Sequence, residues 1–175
     1  MMTAQTATVV RDIGQIRSIR LPVAYQERPD EAVNDAVYVR KFSHSENTDV
    51  AFVFFYRGRR LPQASAESFL RTLALAPHEV EAAEFGDLDL VVREASNPEN
   101  FILSSCRTEN KSGRRVLIVE GIWKASGLVE YGVFIDSDGT GSAVQELHFN
   151  APQIDYADHI DEIEALLDNI AWKRG

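Results

Sequence analysis

The sequence predicts an α+β fold, an antiparallel β-sheet meander with helices packed on it, and three observations carry that prediction. Residues 116–149 hold three apolar segments joined by short connections rich in Gly, Ser and Asp, the pattern of consecutive antiparallel strands. Residues 153–171 place Tyr156, Ile160, Ile163, Leu167 and Ile170 at spacings of four, three, four and three, which is the stripe of an amphipathic helix. Residues 50–56 are almost wholly apolar and aromatic, which suits a central strand covered on both faces.

Taken in order, residues 1–14 are polar and weakly patterned, which predicts a mobile start and leaves 15–175 as one α+β domain. Residues 15–21 set Ile19 and Leu21 against Arg20 and stop at Pro22, a first strand. The acidic stretch 26–35, with Pro29, reads as a loop, and 36–43 alternates again as a strand. After the 50–56 strand, Ser65 is a candidate N-cap, and Phe69, Leu70 and Leu73 form a helical stripe that Pro77 stops. A second short helix is expected over 77–84, with Pro77 at its first position. Leu88, Leu90 and Val92 alternate, so 87–94 reads as a strand. A turn at 96–100 leads into a strand at 101–109, and then come the meander strands 116–123, 128–135 and 142–149. The 153–171 helix closes the chain.

Composition bounds the function. At 175 residues, 45% hydrophobic and 26% charged, the chain is long enough to bury a core without cross-links. Its one cysteine, Cys106, excludes an intramolecular disulfide or a CxxC site and reads as a small buried hydrophobe. The net charge is -9, and it is regional: from Ala125 to Trp172 there are ten Asp/Glu and no Lys or Arg. Phosphate neutralisation needs a basic surface, so nucleic acid is not the expected partner, and Arg57-Gly-Arg-Arg60 reads as a solvated strand edge. The first residues lack a basic segment followed by an apolar one, and the longest apolar run is far shorter than a bilayer. A cytoplasmic protein with no leader and no membrane span is expected.

No catalytic motif stands out. Asp136-Ser-Asp-Gly-Thr-Gly141 begins like a calcium loop, but Thr140 and Leu147 occupy positions where such loops carry ligands, so a glycine-rich hairpin turn explains it. Gly139-Thr-Gly141 fails as a dinucleotide fingerprint, because Val144 stands at the third glycine and a strand follows. The histidines at 44, 78, 148 and 159 are scattered. No metal, cofactor or catalytic residue is therefore predicted.

The meander can be read face by face. Pairing Trp123 with Leu128 sets Gly121 opposite Glu130 and Val119 opposite Gly132, two glycines that would let a helix approach closely. With tight hairpins throughout, Leu147 and Phe149 join Leu117, Val119 and Phe134 on one face. The other face then carries Ile118, Val133 and Val144, with Glu120, Tyr131 and Glu146 aligned across three strands and His148 nearby. These four are the candidate partner- or ligand-binding residues, and Glu130 and Glu146 are expected to face opposite ways. A sheet apolar on both sides must be covered on both sides. The helices around 65–84 and 153–171 are the expected cover, and the alternative is that the second face forms a groove for an apolar partner segment.

The order of elements resembles the PsbP-like and DcrB-like α/β/α sandwich group. The residues carrying the resemblance are Ile19-Arg-Leu-Pro22, the 50–56 strand, and the ending from Tyr156 to Ile170-Ala-Trp172. The group includes photosystem extrinsic subunits, a Ran-binding nuclear import factor, DcrB-type bacterial proteins and chaperones that shield membrane segments of type VI secretion effectors. The resemblance implies a protein that holds partners, and it supplies no catalytic set. The first expectation is a non-enzymatic cytoplasmic binding module, an adaptor, secretion-effector chaperone or immunity-like protein, whose protein partner has basic and apolar features. The second is a small-ligand protein or enzyme using Glu120, Tyr131, Glu146 and His148, with the two glutamates as an acid/base pair. The third is a homodimer formed through an exposed sheet face.

Overall fold

A computed structural model describes residues 7–29 and 39–174. Ten strands and four helices follow one another as β1 (Thr8–Ile13), β2 (Ile16–Leu21), β3 (Tyr25–Glu27), β4 (Val39–His44), β5 (Ala51–Arg60), α1 (Gln63–Ala74), α2 (Ala82–Gly86), α3 (Asp89–Val92), β6 (Phe101–Lys111), β7 (Arg114–Trp123), β8 (Leu128–Asp136), β9 (Ala143–Pro152), α4 (Gln153–Asp168) and β10 (Ala171–Trp172). A 3-10 turn, Arg93–Ser96, follows α3 directly.

Seven strands form one antiparallel sheet in the order β3-β4-β5-β9-β8-β7-β6. Two runs of hairpins build it. The first ends at β5, the helices cross over, and the second run returns from β6 so that β9 lands beside β5. A second sheet, β1-β2-β10, is small and also antiparallel.

The α+β class and the α/β/α layering are as the sequence predicts. The two faces of the large sheet are covered differently. On the first face, Ile118, Tyr131, Val133, Leu147 and Phe149 pack with Ile163, Leu166 and Leu167 of α4 and with Ile13, Ile16 and Ile19 of the small sheet. On the second face, Leu117, Val119, Phe134 and Val144 pack with Phe69 of α1, Leu88 and the Val91-Val92 pair. Gln145 ties the first layer down: it is buried, donates from Nε2 to the Ile13 carbonyl at 3.0 Å, and accepts from the Gln15 N–H at 2.8 Å.

Several local expectations are corrected. Residues 87–94 are helical, because Leu88, Val91 and Val92 are the buried set, at i, i+3 and i+4, while Leu90 is exposed. Pro62 and not Ser65 precedes α1, and Ser65 lies buried inside it. Residues 78–80 do not form a helix; they run against the outer edge of β6, where Thr108 N–H donates to the His78 carbonyl and Val80 N–H to the Cys106 carbonyl. Part of the start read as mobile is β1, paired with β2. Residues 1–6 lie outside the described residues, as do parts of the expected 26–35 loop and 36–43 strand. The 153–171 helix stops at Asp168, and Ala171-Trp172 pairs with β2 as a third strand. Gly121 makes room for the Phe101 ring and the Ile102 carbonyl, not for a helix.

Candidate functional site

Two β7–β8 partners predicted from the sequence are present: Gly121 faces Glu130 and Val119 faces Gly132. The next hairpin is where the predicted cluster divides. Asp136 pairs with Val144, so the 137–143 connection is a wide turn. Its Asp136 Oδ1 accepts the Gly139 and Gly141 N–H groups at 3.1 and 3.0 Å, and Asp138 Oδ1 accepts the Thr140 N–H at 2.9 Å. Phe134 therefore pairs with Glu146, and Tyr131 with Phe149. A tight turn would have put Tyr131 and Glu146 on one face. The wider one turns β9 over, since successive side chains point to opposite faces.

The four candidate residues thus form two sites. Glu120 and Tyr131 lie on the face covered by α4. Glu120 accepts from Arg107 at 2.7 Å and from the Tyr156 hydroxyl at 2.7 Å, and the Tyr131 hydroxyl donates to Glu164 at 3.0 Å. Lys111 closes this network with an ion pair to Glu164 at 2.9 Å. Burial, followed by the Glu164 charge, raises the Tyr131 pKa, and burial with the Glu120 contact raises that of Tyr156. Every polar tip here has a partner, so these residues anchor α4. They offer no acid/base pair with Glu146, which is on the far side of the sheet.

Glu146 and His148 lie on the other face together with Glu130, which the sequence reading had set apart. His148 Nδ1 is 2.8 Å from Glu130 Oε1 and Nε2 is 3.3 Å from Glu146 Oε1. The Glu130 contact is off the ring N–H direction, so it is an ion-pair contact and not a hydrogen bond. Glu146 also faces two guanidinium groups, Arg93 Nη2 at 3.1 Å and Arg59 Nε at 3.6 Å. Arg59 spends its two terminal nitrogens on the Leu90 and Val91 carbonyls at 2.7 and 2.6 Å, which holds the end of α3 against β5.

Electrostatics follow from this packing. Burial alone would push the imidazole of His148 down, but Glu130 and Glu146 outweigh it and hold its pKa up to about 10. Burial would raise Glu146; His148, Arg93 and Arg59 reverse that and lower it. Arg59 is lowered by burial and by the neighbouring Arg93 charge, against the pull of Glu146. Cys106 is buried beneath α2 and α3 on this same face, its thiol pushed up to about 12 by burial. It is an unreactive core residue.

Beside the Glu130–His148–Glu146 row the sheet is only partly covered. α3 reaches β5 through the Arg59 side chain, and the Arg93–Ser96 turn forms one wall of a cleft of about 360 Å³. Val53, Phe55, Trp123 and Phe134 give it apolar surfaces, and Val92 and Ala95 complete the wall. Asn150 and Glu94 sit beside the charged row. Arg93 enters with φ +53, a left-handed conformation for a residue with a Cβ, and so turns its side chain back towards Glu146. The uncovered surface is therefore on the face opposite to the one the sequence pattern suggested. Arg59, Arg93 and Glu130 were missed as site residues. Glu130 alternates with apolar neighbours and carried a signal; the arginines come from a strand end and a helical turn and carried none.

No family model matches the chain, and no curated protein matches it in sequence. Two solved structures are similar to it over nearly their full lengths. One is the solution structure of cyanobacterial PsbP (CyanoP) from Synechocystis, at 8% identity and a TM-score of 0.64, covering 98% of this chain and 95% of that one. The other is the crystal structure of a protein of unknown function from Pseudomonas aeruginosa, at 18% identity and a TM-score of 0.51, covering 97% and 99%. The fold is PsbP-like. Among the described residues no helix is long and apolar enough to cross a membrane.

Proposed function

We propose that this chain is a non-enzymatic protein-binding module, an adaptor, secretion-effector chaperone or immunity-like protein of the cytoplasm, that holds a partner segment at the uncovered part of its large sheet. One observation supports this above the others. Val53 and Phe55 of β5 stay part-exposed on the cleft floor, while Phe134 on the same face is buried by the chain's own helices. The net charge of -9 favours a partner with basic features flanking its apolar segment. The test is affinity capture from the native host with the wild-type chain and with Asn150→Trp, which fills the cleft from its rim. One stoichiometric partner, gained in solubility on co-expression and lost with the variant, supports the reading. No specific partner, or one held equally by both proteins, overturns it.

A second reading, a small-ligand protein, is favoured by the cleft itself. Its polar groups are Glu130, Glu146 and His148, because Glu120 and Tyr131 are enclosed beneath α4. Its volume is in the usual range of small-molecule sites.

A further inference from the structure

Three cations at the cleft, Arg59, Arg93 and His148, meet three carboxylates, Glu94, Glu130 and Glu146, so its charges balance although the chain as a whole is acidic. His148 is matched by Glu130, but Glu146 alone serves both Arg59 and Arg93. Glu94 at the rim is turned to the Asn100 side-chain amide, 3.1 Å away. Arg59 has its terminal nitrogens on backbone carbonyls, so the cation with donors to spare is Arg93. Arg93 gives only Nη2 to Glu146, and its side chain is 47% exposed. Among the described residues its Nη1 and Nε have no partner. The positive φ that delivers this guanidinium is disfavoured for any residue but glycine, and unusual backbone of this kind collects at binding sites.

Facing it are polar groups whose hydrogen bonds are unmade. The Glu130 side chain is 8% exposed, has Oε1 against His148, and has no partner at Oε2 among the described residues. The same holds for the Asn150 amide, which is opposite Glu130 on β9, and for the Trp123 indole N–H. Glu130 Oε2 is thus open to a donor from outside the chain. Between these groups lie the Phe55, Trp123 and Phe134 side chains.

We infer that the cleft binds a small amphipathic carboxylate. Its carboxylate would take the free edge of Arg93, its compact apolar body would lie between Phe55, Phe134 and Trp123, and an N–H or O–H group would donate to Glu130 Oε2. A free acid and the apolar carboxy-terminal residue of a chain present this same chemistry. The inference rests on the small-ligand reading of the cleft and not on partner capture.

The experiment titrates the intact chain with N-acetylphenylalanine, its carboxamide, phenethylamine, and an N-blocked hexapeptide ending in Phe with a free or amidated terminus. The indole N–H resonance of Trp123, assigned with Trp123→Phe, reports on the site. The acids should shift it saturably and bind at least about tenfold more tightly than the amides, the margin of one charge-assisted bond. Arg93→Gly, which accepts φ +53 with ψ -121 without a Cβ and so keeps the fold, should weaken the acids about tenfold and leave the amides unchanged. Tighter binding by either acid source supports the site and says which source it takes. Amides or the amine binding as well as the acids would overturn the carboxylate assignment while leaving a ligand site in place. No shift with any probe, or acids indifferent to Arg93→Gly, would overturn it as well, the former removing the small-ligand reading too.

Discussion

Glu130 and His148 approach to 2.8 Å on adjacent strands of the same sheet face, with the imidazole almost enclosed between that carboxylate and Glu146. The arrangement is a buried charged row, and such a row couples stability to pH.

His148 has a folded pKa of about 10 against 6.5 when unperturbed, so its stabilisation is complete below about 6.5 and is lost as the pH rises towards 10. Glu146 is shifted the other way, so its stabilisation is complete above its ordinary 4.5 and is lost as acid protonates it below that. Stability should therefore be flat between these limits and fall on the alkaline side at up to about 1.4 kcal/mol per pH unit. Urea denaturation from pH 5 to 10 measures this. His148→Gln should lower stability near pH 6 and flatten the alkaline slope; an unchanged slope would mean that His148 is neutral in the fold.

Gln145→Leu removes the side-chain link between β9 and the Ile13–Gln15 turn. The Ile13 carbonyl and Gln15 N–H then lose their partners, at about 1–3 kcal/mol each for a buried group. A loss of about 2–4 kcal/mol is expected, read as a lower denaturation midpoint with unchanged m-value.

Gly121→Ala places a Cβ against the Phe101 ring and the Ile102 carbonyl. The ring can shift only by disturbing its packing on Trp123, 4.7 Å away between centroids. Overpacking of this kind costs about 1–3 kcal/mol, and thermal denaturation should show it as a lower Tm.

Tyr131→Phe deletes one hydroxyl, the donor to Glu164, from a fully buried ring. The expected cost is about 1 kcal/mol. Because this group anchors α4 on the opposite face, ligand or partner binding at the Glu146 side should not change. A binding defect in folded Tyr131→Phe would show that the two faces communicate.

The limits of the sequence pattern are visible at particular residues. The β7–β8 register was legible because the short 124–127 hairpin sets it, although both strands are apolar on both faces. β9 has apolar residues on both faces, Val144 on one and Leu147 on the other, so the pattern cannot say which way it points. That choice is made by the Asp136-capped turn, and the candidate cluster divided accordingly. Over 87–94 the run Leu88, Leu90, Val91, Val92 fits both a strand and a helix period. Burial of Val91 decides for the helix and depends on Phe69 and Phe134, distant in sequence. Arg93 joins the site through a backbone angle that no residue type announces.

The pairing of β10 with β2 has a consequence for the order in which the molecule can be made. Ile16 and Ile19 belong to the strand that Ala171 and Trp172 complete, and the Trp172 indole donates to the Lys111 carbonyl at 2.9 Å while Arg114 covers its ring at 4.7 Å. During synthesis β2 emerges long before its neighbour β10, so this side of the core stays unsealed until Ala171 and Trp172 are translated. A ribosome stalled before Trp172 would display a chain with apolar surface still open, the condition in which quality-control factors recognise nascent proteins.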